Sequence, residues 1–362
     1  MKEEQKISSK AGLLKMLREK QGAPISGGVL AKELGVSRVA VWKTVQALVD
    51  AGYLIETGET GYLLNPENEK DFLYPWEFGE NESIYYHYLT TGSTMDRARE
   101  LLTSKLLTSK TAVRKTESVS GNEVSRAIIT AEKQSAGRGR NGRTWVSRQG
   151  GLFFSILEQP NKEGWRLSIA DYAQFSLVMQ IAVVKSVSYF CCKQAFLRWP
   201  NDIYINNRKI AGITTEISGE GDLITWITGG IGVNINNKTP FPKAVTISEI
   251  KGRQISRKEV LKKIIEEIDI IKKTFISKAS YSQGNRALAS EWNSLADCIG
   301  AKAAIFEPEK KDDIINEISG KTLARGIFAG IDPAGRCIIK TDTEKGDLYF
   351  NQGSVSLAFL NT

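Results

Sequence analysis

Gly137-Arg138-Gly139-Arg140-Asn141-Gly142-Arg143-Thr144-Trp145 decides how this chain is read, because it sets three arginines among three glycines just after the strand-like run Ile128-Ile129-Thr130-Ala131. Glycine lets backbone N–H groups approach an anion closely, and arginine neutralises that anion with forked donors. The stretch comes near the phosphate-binding P-loop, with Arg143-Thr144 where Lys-Ser or Lys-Thr would stand. A P-loop, however, must open a helix whose N-terminus aims at the phosphates. Here Trp145, a Gly150-Gly151 turn and the apolar run Leu152-Phe153-Phe154-Ser155-Ile156-Leu157 follow, which indicates a strand. The expectation is an anion-binding loop between strands, and not a kinase or GTPase. Its alternative is a basic surface loop with no ligand.

Working outward toward the C-terminus, Leu197-Arg198-Trp199-Pro200-Asn201-Asp202 leads into Ile203-Tyr204-Ile205, a turn Asn206-Asn207-Arg208-Lys209, and Ile210-Ala211-Gly212-Ile213. This reads as a hairpin with a carboxylate at its base and a lysine at the exit of its turn. Activating a carboxylic acid with ATP brings a carboxylate to the α-phosphate, two anions that repel, so such a site needs fixed cations and usually Mg²⁺. Lys209 and the arginine loop can supply the cations, and Asp202 can hold a metal or orient Arg198. Spacing leaves two plainer readings open: Lys209 as a solvent-facing turn lysine, and Asp202 as a cap or structural ion pair.

Toward the N-terminus, Leu13, Leu14 and Leu17 mark one helix and Leu30, Ala31 and Leu34 a second. After Gly35-Val36, Ser37 is placed to cap a third helix that carries Val41, Val45 and Leu48 and ends at Ala51-Gly52. Two short strands, within Tyr53–Leu64, flank a turn with Gly58 and Gly61. Helix, turn, helix and wing make a DNA-binding unit, with the helix-turn-helix at about residues 27–46. Ser37, Arg38, Trp42, Lys43 and Gln46 are its expected contacts to phosphates and base edges, although winged units also serve as protein-docking modules. The polar stretch Asn65–Asp71 reads as a linker.

Beyond it, residues 82–296 alternate strand-like runs with helices, one of them near 167–190, as an α+β core. The pentapeptide Leu101-Leu102-Thr103-Ser104-Lys105 recurs as residues 106–110 and lengthens a surface loop. After Gly300 come short strands and turns, including Asp332-Pro333-Ala334-Gly335, as in a small β-barrel of SH3-like size. Three domains are therefore expected: a winged helix-turn-helix at 1–65, a linker and catalytic domain at 66–296, and a β domain at 297–362.

Four cysteines at 191, 192, 298 and 337 lack the spacing of a zinc site or a disulfide scaffold, and read as reduced thiols. His87 is the sole histidine, so a multi-histidine metal site is excluded and an ordinary packed or surface histidine is expected. A net charge of +8 suits a polyanionic partner. The apolar segment Leu167–Phe190 is interrupted by Asp171, Gln174, Gln180 and Lys185, and the opening MKEEQKISSK precedes no apolar stretch, so neither a membrane helix nor a secretion signal is read. A cytoplasmic location is the expectation.

Ser93-Thr94, Gln134 with the loop Gly137–Trp145, Trp199-Pro200-Asn201-Asp202, Lys209 with Gly212, and Gly230-Ile231-Gly232-Val233-Asn234-Ile235-Asn236 occur in the order found in biotin protein ligases. With the winged helix and the C-terminal β domain, nearly the whole chain resembles the bifunctional members that also repress transcription. The resemblance implies a biotin/lipoyl-ligase-like catalytic domain with a mixed sheet, flanked by the winged helix and the SH3-like barrel. It implies that biotin and MgATP give biotinyl-5′-adenylate and pyrophosphate, and that a lysine of a biotin carboxyl carrier domain then takes the biotinyl group. Ser93, Thr94, Met95, Gln134, Arg138, Gly139, Arg140, Lys209 and Gly212 would surround biotin. Arg140, Arg143, Trp145, Arg198, Asn201, Asp202 and Asn234 would meet ATP and the adenylate, with Arg138, Lys209 and Asp202 as the catalytic set and Asp202 as a possible Mg²⁺ ligand. ATP, Mg²⁺ and biotin are then the small molecules required, with no tightly held metal or prosthetic group. Operator DNA, the carrier domain and a second copy of the chain, in the adenylate-bound state, are the partners, with no membrane.

Two positions depart from the family pattern: Met95 stands where asparagine is common and Arg198 where lysine is. They motivate the alternative of a transcription factor that senses biotin or its adenylate with little ligase activity. A lipoate or octanoate ligase of related fold is a third reading, which the arginine-glycine loop disfavours.

Overall fold

The computed structural model describes residues 7–103, 125–160, 167–169, 172–239, 241–275, 281–307, 321–341, 346–352 and 355–360. From residue 104 onward the pentapeptide repeat lies outside them. Two compact units divide the chain, Met1–His87 and Tyr88–Thr362.

In the first unit, helices α1 (Ser9–Glu19), α2 (Gly27–Leu34) and α3 (Arg38–Asp50) each begin where a serine hydroxyl accepts from a backbone N–H that the helix leaves unbonded: Ser8 from Ala11, Ser26 from Val29 and Ser37 from Ala40. Gly35 ends α2 in the left-handed region, at φ 63°. The apolar stripes of the helices meet in one core that includes Leu13, Leu14, Leu17, Leu30, Val45 and Leu48, all fully buried. Strands β1 (Ile55–Gly58) and β2 (Gly61–Leu64) form the wing, with Ile55 opposite Leu64. Gly61, at φ 133°, lies against the Ile25 carbonyl, where a Cβ would come to 2.1 Å.

The stretch expected to be a linker belongs to this unit. Phe72, Tyr74 and Trp76 pack on its core, and the buried Glu77 accepts from Arg18 and from the Tyr53 hydroxyl. The boundary drawn at residue 65 therefore falls inside a compact body. Polarity of residues 65–71 suggested a tether, but the aromatic residues that follow fasten the segment to the winged helix. His87 meets Tyr74 edge to face, at 5.0 Å between ring centroids, as an ordinary packed residue.

The second unit is built on a seven-stranded sheet. Its elements in chain order are β3 (Tyr85–Thr91), α4 (Thr94–Thr103), β4 (Arg126–Gln134), β5 (Leu152–Glu158), α5 (Tyr172–Cys191), β6 (Phe196–Arg198), β7 (Asp202–Ile205), β8 (Arg208–Glu220) and β9 (Leu223–Val233). The strand order is β3-β4-β5-β9-β8-β7-β6. Neighbours from β4 to β6 are antiparallel. Beyond the end of β3, Ser135 N–H donates to the Thr91 carbonyl and Ala136 N–H to that of Gly92, so both chains advance together and the sheet is mixed. Helix α5 is long and apolar enough to cross a bilayer, but most of its side chains are buried inside the protein, where it packs against α6 (Ile247–Lys251), α7 (Arg257–Phe275) and α8 (Tyr281–Ser294) as a core helix.

A second, five-stranded antiparallel sheet follows, made of β10 (Lys302–Phe306), β11 (Thr322–Ile331), β12 (Cys337–Lys340), β13 (Leu348–Phe350) and β14 (Ser356–Phe359) in the order β13-β12-β11-β10-β14. Asn293 of α8 fastens it, donating to the Ile331 carbonyl at 3.0 Å and accepting from Ile331 N–H at 2.8 Å.

Candidate active site

The floor of the site is a pair of glycines. Gly212 on β8 and Gly232 on β9 face one another across the antiparallel ladder, and the Trp145 indole lies over both. A Cβ on Gly232 would reach Trp145 Cε2 at 2.5 Å, and one on Gly212 would reach Cζ3 at 3.0 Å. Any side chain at 232 therefore displaces the indole. Gly230, one step along the same face, leaves room for the Met95 thioether.

The arginine loop closes as a small hairpin and opens no helix, which removes the P-loop reading. Arg138 bridges Thr144, Gly139 N–H donates to the Arg143 carbonyl at 2.7 Å, and Trp145 N–H donates to that of Gly137 at 2.8 Å. A Cβ at Gly137 would sit 2.4 Å from the Trp145 carbonyl oxygen, and the tip turns through Asn141 and Gly142 at φ 56° and 75°. Arg138 and Arg140 are in unlike circumstances. Arg138 reaches Asp96 of α4 at 2.6 Å. Arg140 is half-buried, and its Nη2, shut off from solvent, has no hydrogen-bond partner. Burial pushes the Arg140 guanidinium down to about 10, with the Asp202 carboxylate opposing the shift and Arg143 adding to it. It remains charged at neutral pH.

One wall is the start of α4. Ser93 Oγ accepts from Met95 N–H at 3.2 Å. Gln134 Oε1 accepts from Thr94 N–H at 2.8 Å and from the Thr94 hydroxyl at 3.2 Å, while its Nε2 donates to Ser147 Oγ at 2.8 Å. Ser155 of β5 donates to Thr94 Oγ1 at 2.8 Å. The opposite wall is the β7–β8 hairpin, whose turn residues Asn206 and Asn207 both take positive φ, 51° and 57°, as a tight two-residue turn requires. At its ends Lys209 Nζ lies 2.7 Å from Asp202 Oδ2 and 5.4 Å from the centre of the Trp145 ring. Asn201 Nδ2 donates to the Ile213 carbonyl.

These elements enclose one cavity. Around it stand Ser93, Thr94, Met95, Gln134, Arg138, Gly139, Arg140, Arg143, Trp145, Asn201, Asp202, Lys209 and Gly212, nearly the whole set expected from the sequence. Two expected residues lie elsewhere. Arg198 donates to both carboxylate oxygens of Asp297, at 3.0 and 2.8 Å, and to Asn207, and stacks its guanidinium 4.3 Å from the Tyr204 ring. Asn234 donates its N–H to the Ile210 carbonyl and accepts from Asn237 Nδ2. Thr144, Phe154, Ile213, Thr214, Gly230, Ile231 and Gly232 line the cavity without having been singled out as site residues. Glycine at alternate positions 230 and 232 near the end of β9, where a strand normally carries side chains, was the signal for the last of these.

On α3, Val41, Val45 and Leu48 face the core, while Arg38, Trp42, Lys43 and Gln46 are exposed, with Trp42 at 52%. Ser37 is exposed too, its hydroxyl engaged as the helix cap. The expected contact face is therefore open.

Residues 104–235 match the biotin/lipoate A/B protein ligase family, and residues 11–63 match a helix-turn-helix domain. The chain is 32% identical to the bifunctional ligase/repressor BirA of Bacillus subtilis over 255 residues, 67% of this chain and 71% of that protein. It is 28% identical to the protein of the same name in Escherichia coli, over 88% of each chain. The crystal structure of the Aquifex aeolicus biotin protein ligase in complex with biotin and ATP superposes with a TM-score of 0.55, at 25% identity, over 76% of this chain and 99% of that one. On this evidence the chain belongs to the biotin/lipoate A/B protein ligase family, as a member with a helix-turn-helix domain ahead of its ligase core.

Proposed function

We propose that the cavity activates biotin with ATP and hands the biotinyl group to a lysine of a carrier protein, and that the winged helix makes the same chain a DNA-binding repressor. The observation that carries the ligase reading is the buried, unpartnered Nη2 of Arg140 in a cavity that also holds Lys209 and Arg143. A buried donor without a partner is costly in a folded protein, and an anion would satisfy it. In the first step a carboxylate oxygen of biotin attacks the α-phosphorus and pyrophosphate departs. Lys209 and Arg140 lie where they can offset the charge that gathers at that phosphate. In the second step the carrier lysine attacks the acyl carbon of the mixed anhydride and AMP departs. The arginine hairpin covers the adenylate and excludes water that would hydrolyse it. Ser93, Thr94, Met95 and Gln134 hold the biotin end, and Trp145 offers the nucleotide a flat face.

Among the described residues no group of three or more His, Cys, Asp or Glu is arranged for a metal. Mg²⁺ is commonly held by one carboxylate together with substrate phosphates. Asp202 fits that role, and the ion would supply charge neutralisation at the phosphates. We further assign the C-terminal sheet to the small SH3-like barrels, from its short antiparallel strands. The adenylate-bound protein is assigned as a homodimer on its operator, by likeness to the bifunctional ligases.

Incubating the purified protein with a biotin carrier domain and MgATP, beside a control without ATP, tests the ligase. Biotin on the carrier lysine is the expected result. Biotin bound but never transferred would instead support the sensing regulator that Met95 and Arg198 suggested, although only Met95 is at the cavity.

A further inference from the structure

Asp96 lines no part of the cavity, yet it is tied to the arginine hairpin. Its Oδ1 accepts from Arg138 Nη2 at 2.6 Å and from Arg99 Nη1 at 2.7 Å. Arg99 in turn grips both oxygens of Glu216 on β8, at 3.0 and 2.7 Å. A line of alternating charge, Glu216–Arg99–Asp96–Arg138, thus runs from the sheet across α4 to the first arm of the hairpin. All four side chains are well exposed to solvent, so the line adds little to global stability. Its other effect is local. Beyond Trp145 at its base, the hairpin has little apolar anchorage, since Arg138, Gly139, Arg140 and Gly142 bury no hydrocarbon core. Ordering such a loop costs conformational entropy whenever it closes.

We infer that Asp96 is a positioning residue, a latch that holds Arg138 and with it the hairpin's first arm in the closed arrangement before ligand arrives. Because the arm is pinned at Arg138, the tip directs the Arg140 guanidinium inward, where its Nη2 stands ready and unpartnered. Part of the entropy cost of closure is thereby met in the ligand-free protein, which improves binding without touching the reacting atoms. The adjacency of Met95 and Asp96 at the first turn of α4 gives one helical turn two tasks: Met95 faces the cavity and Asp96 faces the loop that covers it.

The latch itself is independent of the ligase reading; its kinetic consequence rests on that reading, so the test has one arm for each. In the ligand-free protein, limited trypsin digestion reports hairpin opening through cleavage after Arg138, Arg140 or Arg143. Asp96→Asn is expected to raise that cleavage rate roughly threefold to tenfold with the melting temperature and the cleavage rate within the first unit unchanged. Asp96→Glu, which keeps the charge, restores it to within about twofold of the wild type, and Glu216→Gln, at the far end of the line, stays within about twofold as well. Wild-type cleavage in Asp96→Asn overturns the latch. In biotin-dependent ATP–pyrophosphate exchange, Asp96→Asn raises the biotin KM severalfold and leaves kcat within about twofold. A lowered kcat at constant KM would place Asp96 in the chemistry and overturn the positioning role. If the wild type shows no exchange, the ligase reading fails and the digestion arm still decides the latch.

Discussion

The charges at the contact with α7 and those around the cavity are of the same kinds but are used in opposite ways. At α7, Arg257 donates to both oxygens of Glu132, at 2.7 and 3.1 Å, and Glu158 accepts from Arg126 and Lys272 at 2.7 and 2.8 Å, while Arg126 also reaches Asp269. Every one of these charges has an opposite charge against it. At the cavity Arg140 keeps a buried donor unpartnered, and the Arg138 side chain is held by a partly exposed aspartate. Pairing therefore separates charge that builds the fold from charge held for a ligand. Burial alone would not, since the Arg257 side chain and the Arg140 Nη2 are both shut off from water. Pairing also sets the two arginines apart: Arg126 is held above its ordinary value by Glu158 and Asp269 against the desolvation that lowers it, whereas Arg140 has no carboxylate in contact and is lowered.

The largest expected effect breaks the paired region. Glu158→Ala removes the carboxylate that Arg126 and Lys272 share. Taking one partner from a buried pair costs about 3–5 kcal/mol, a large part of the stability of an ordinary domain. Denaturant titration should show this loss, and a loss below about 1 kcal/mol would mean that the pair behaves like a surface one. Lys209→Ala attacks the other region and should leave the denaturation midpoint near that of the wild type, because Lys209 is about one-third exposed. Its effect belongs to the reaction: removal of a fixed positive donor at developing charge lowers the rate roughly 100-fold to 1,000-fold. The adenylation half-reaction, read by pyrophosphate exchange, should fall while affinity for the carrier changes little. An unchanged exchange rate would take Lys209 out of the chemistry.

The two regions were also unequally legible in the sequence. The cavity was readable because it is built from local signals: a glycine-arginine hairpin, a two-asparagine turn with Lys209 after it, and Ser93-Thr94 at a helix start. Each is set by backbone rules that act within a few residues. The α7 contact was invisible, since Glu132 and Arg257 are joined only by tertiary folding, and a Glu on a strand looks like any solvated charge. Arg198 lies outside the cavity lining for a related reason. Its position beside Trp199-Pro200-Asn201-Asp202 suggested the nucleotide, and cross-strand partners share a face of the sheet. Arg198 and Asp202 are register partners on β6 and β7, yet the guanidinium turns to Asp297 after α8, a partner that sequence could not supply. The segment after residue 65 reads as a linker from its polar opening, while Phe72, Tyr74 and Trp76 beyond it pack on the core of the first unit.

The smallest expected effect concerns the first unit, where exposed charge again awaits a partner. Arg38 is exposed at the start of α3 with no ion pair among the described residues, and its guanidinium lies against Gly28 of α2, where a Cβ would come to 3.0 Å of Nη2. That close approach confines the side chain toward the turn of the helix-turn-helix, the part that meets the DNA backbone in this motif. A phosphate contact of this kind contributes affinity across all sequences and little discrimination among them. Arg38→Ala is therefore expected to weaken binding to a duplex selected by the wild-type protein by roughly tenfold or less, with the salt dependence of log K reduced by about one ion. The same loss should appear on a scrambled duplex, and carrier biotinylation should be unaffected. A loss confined to the selected duplex would move Arg38 from the backbone to a base edge, and an unaltered affinity for both would remove it from the DNA-facing surface.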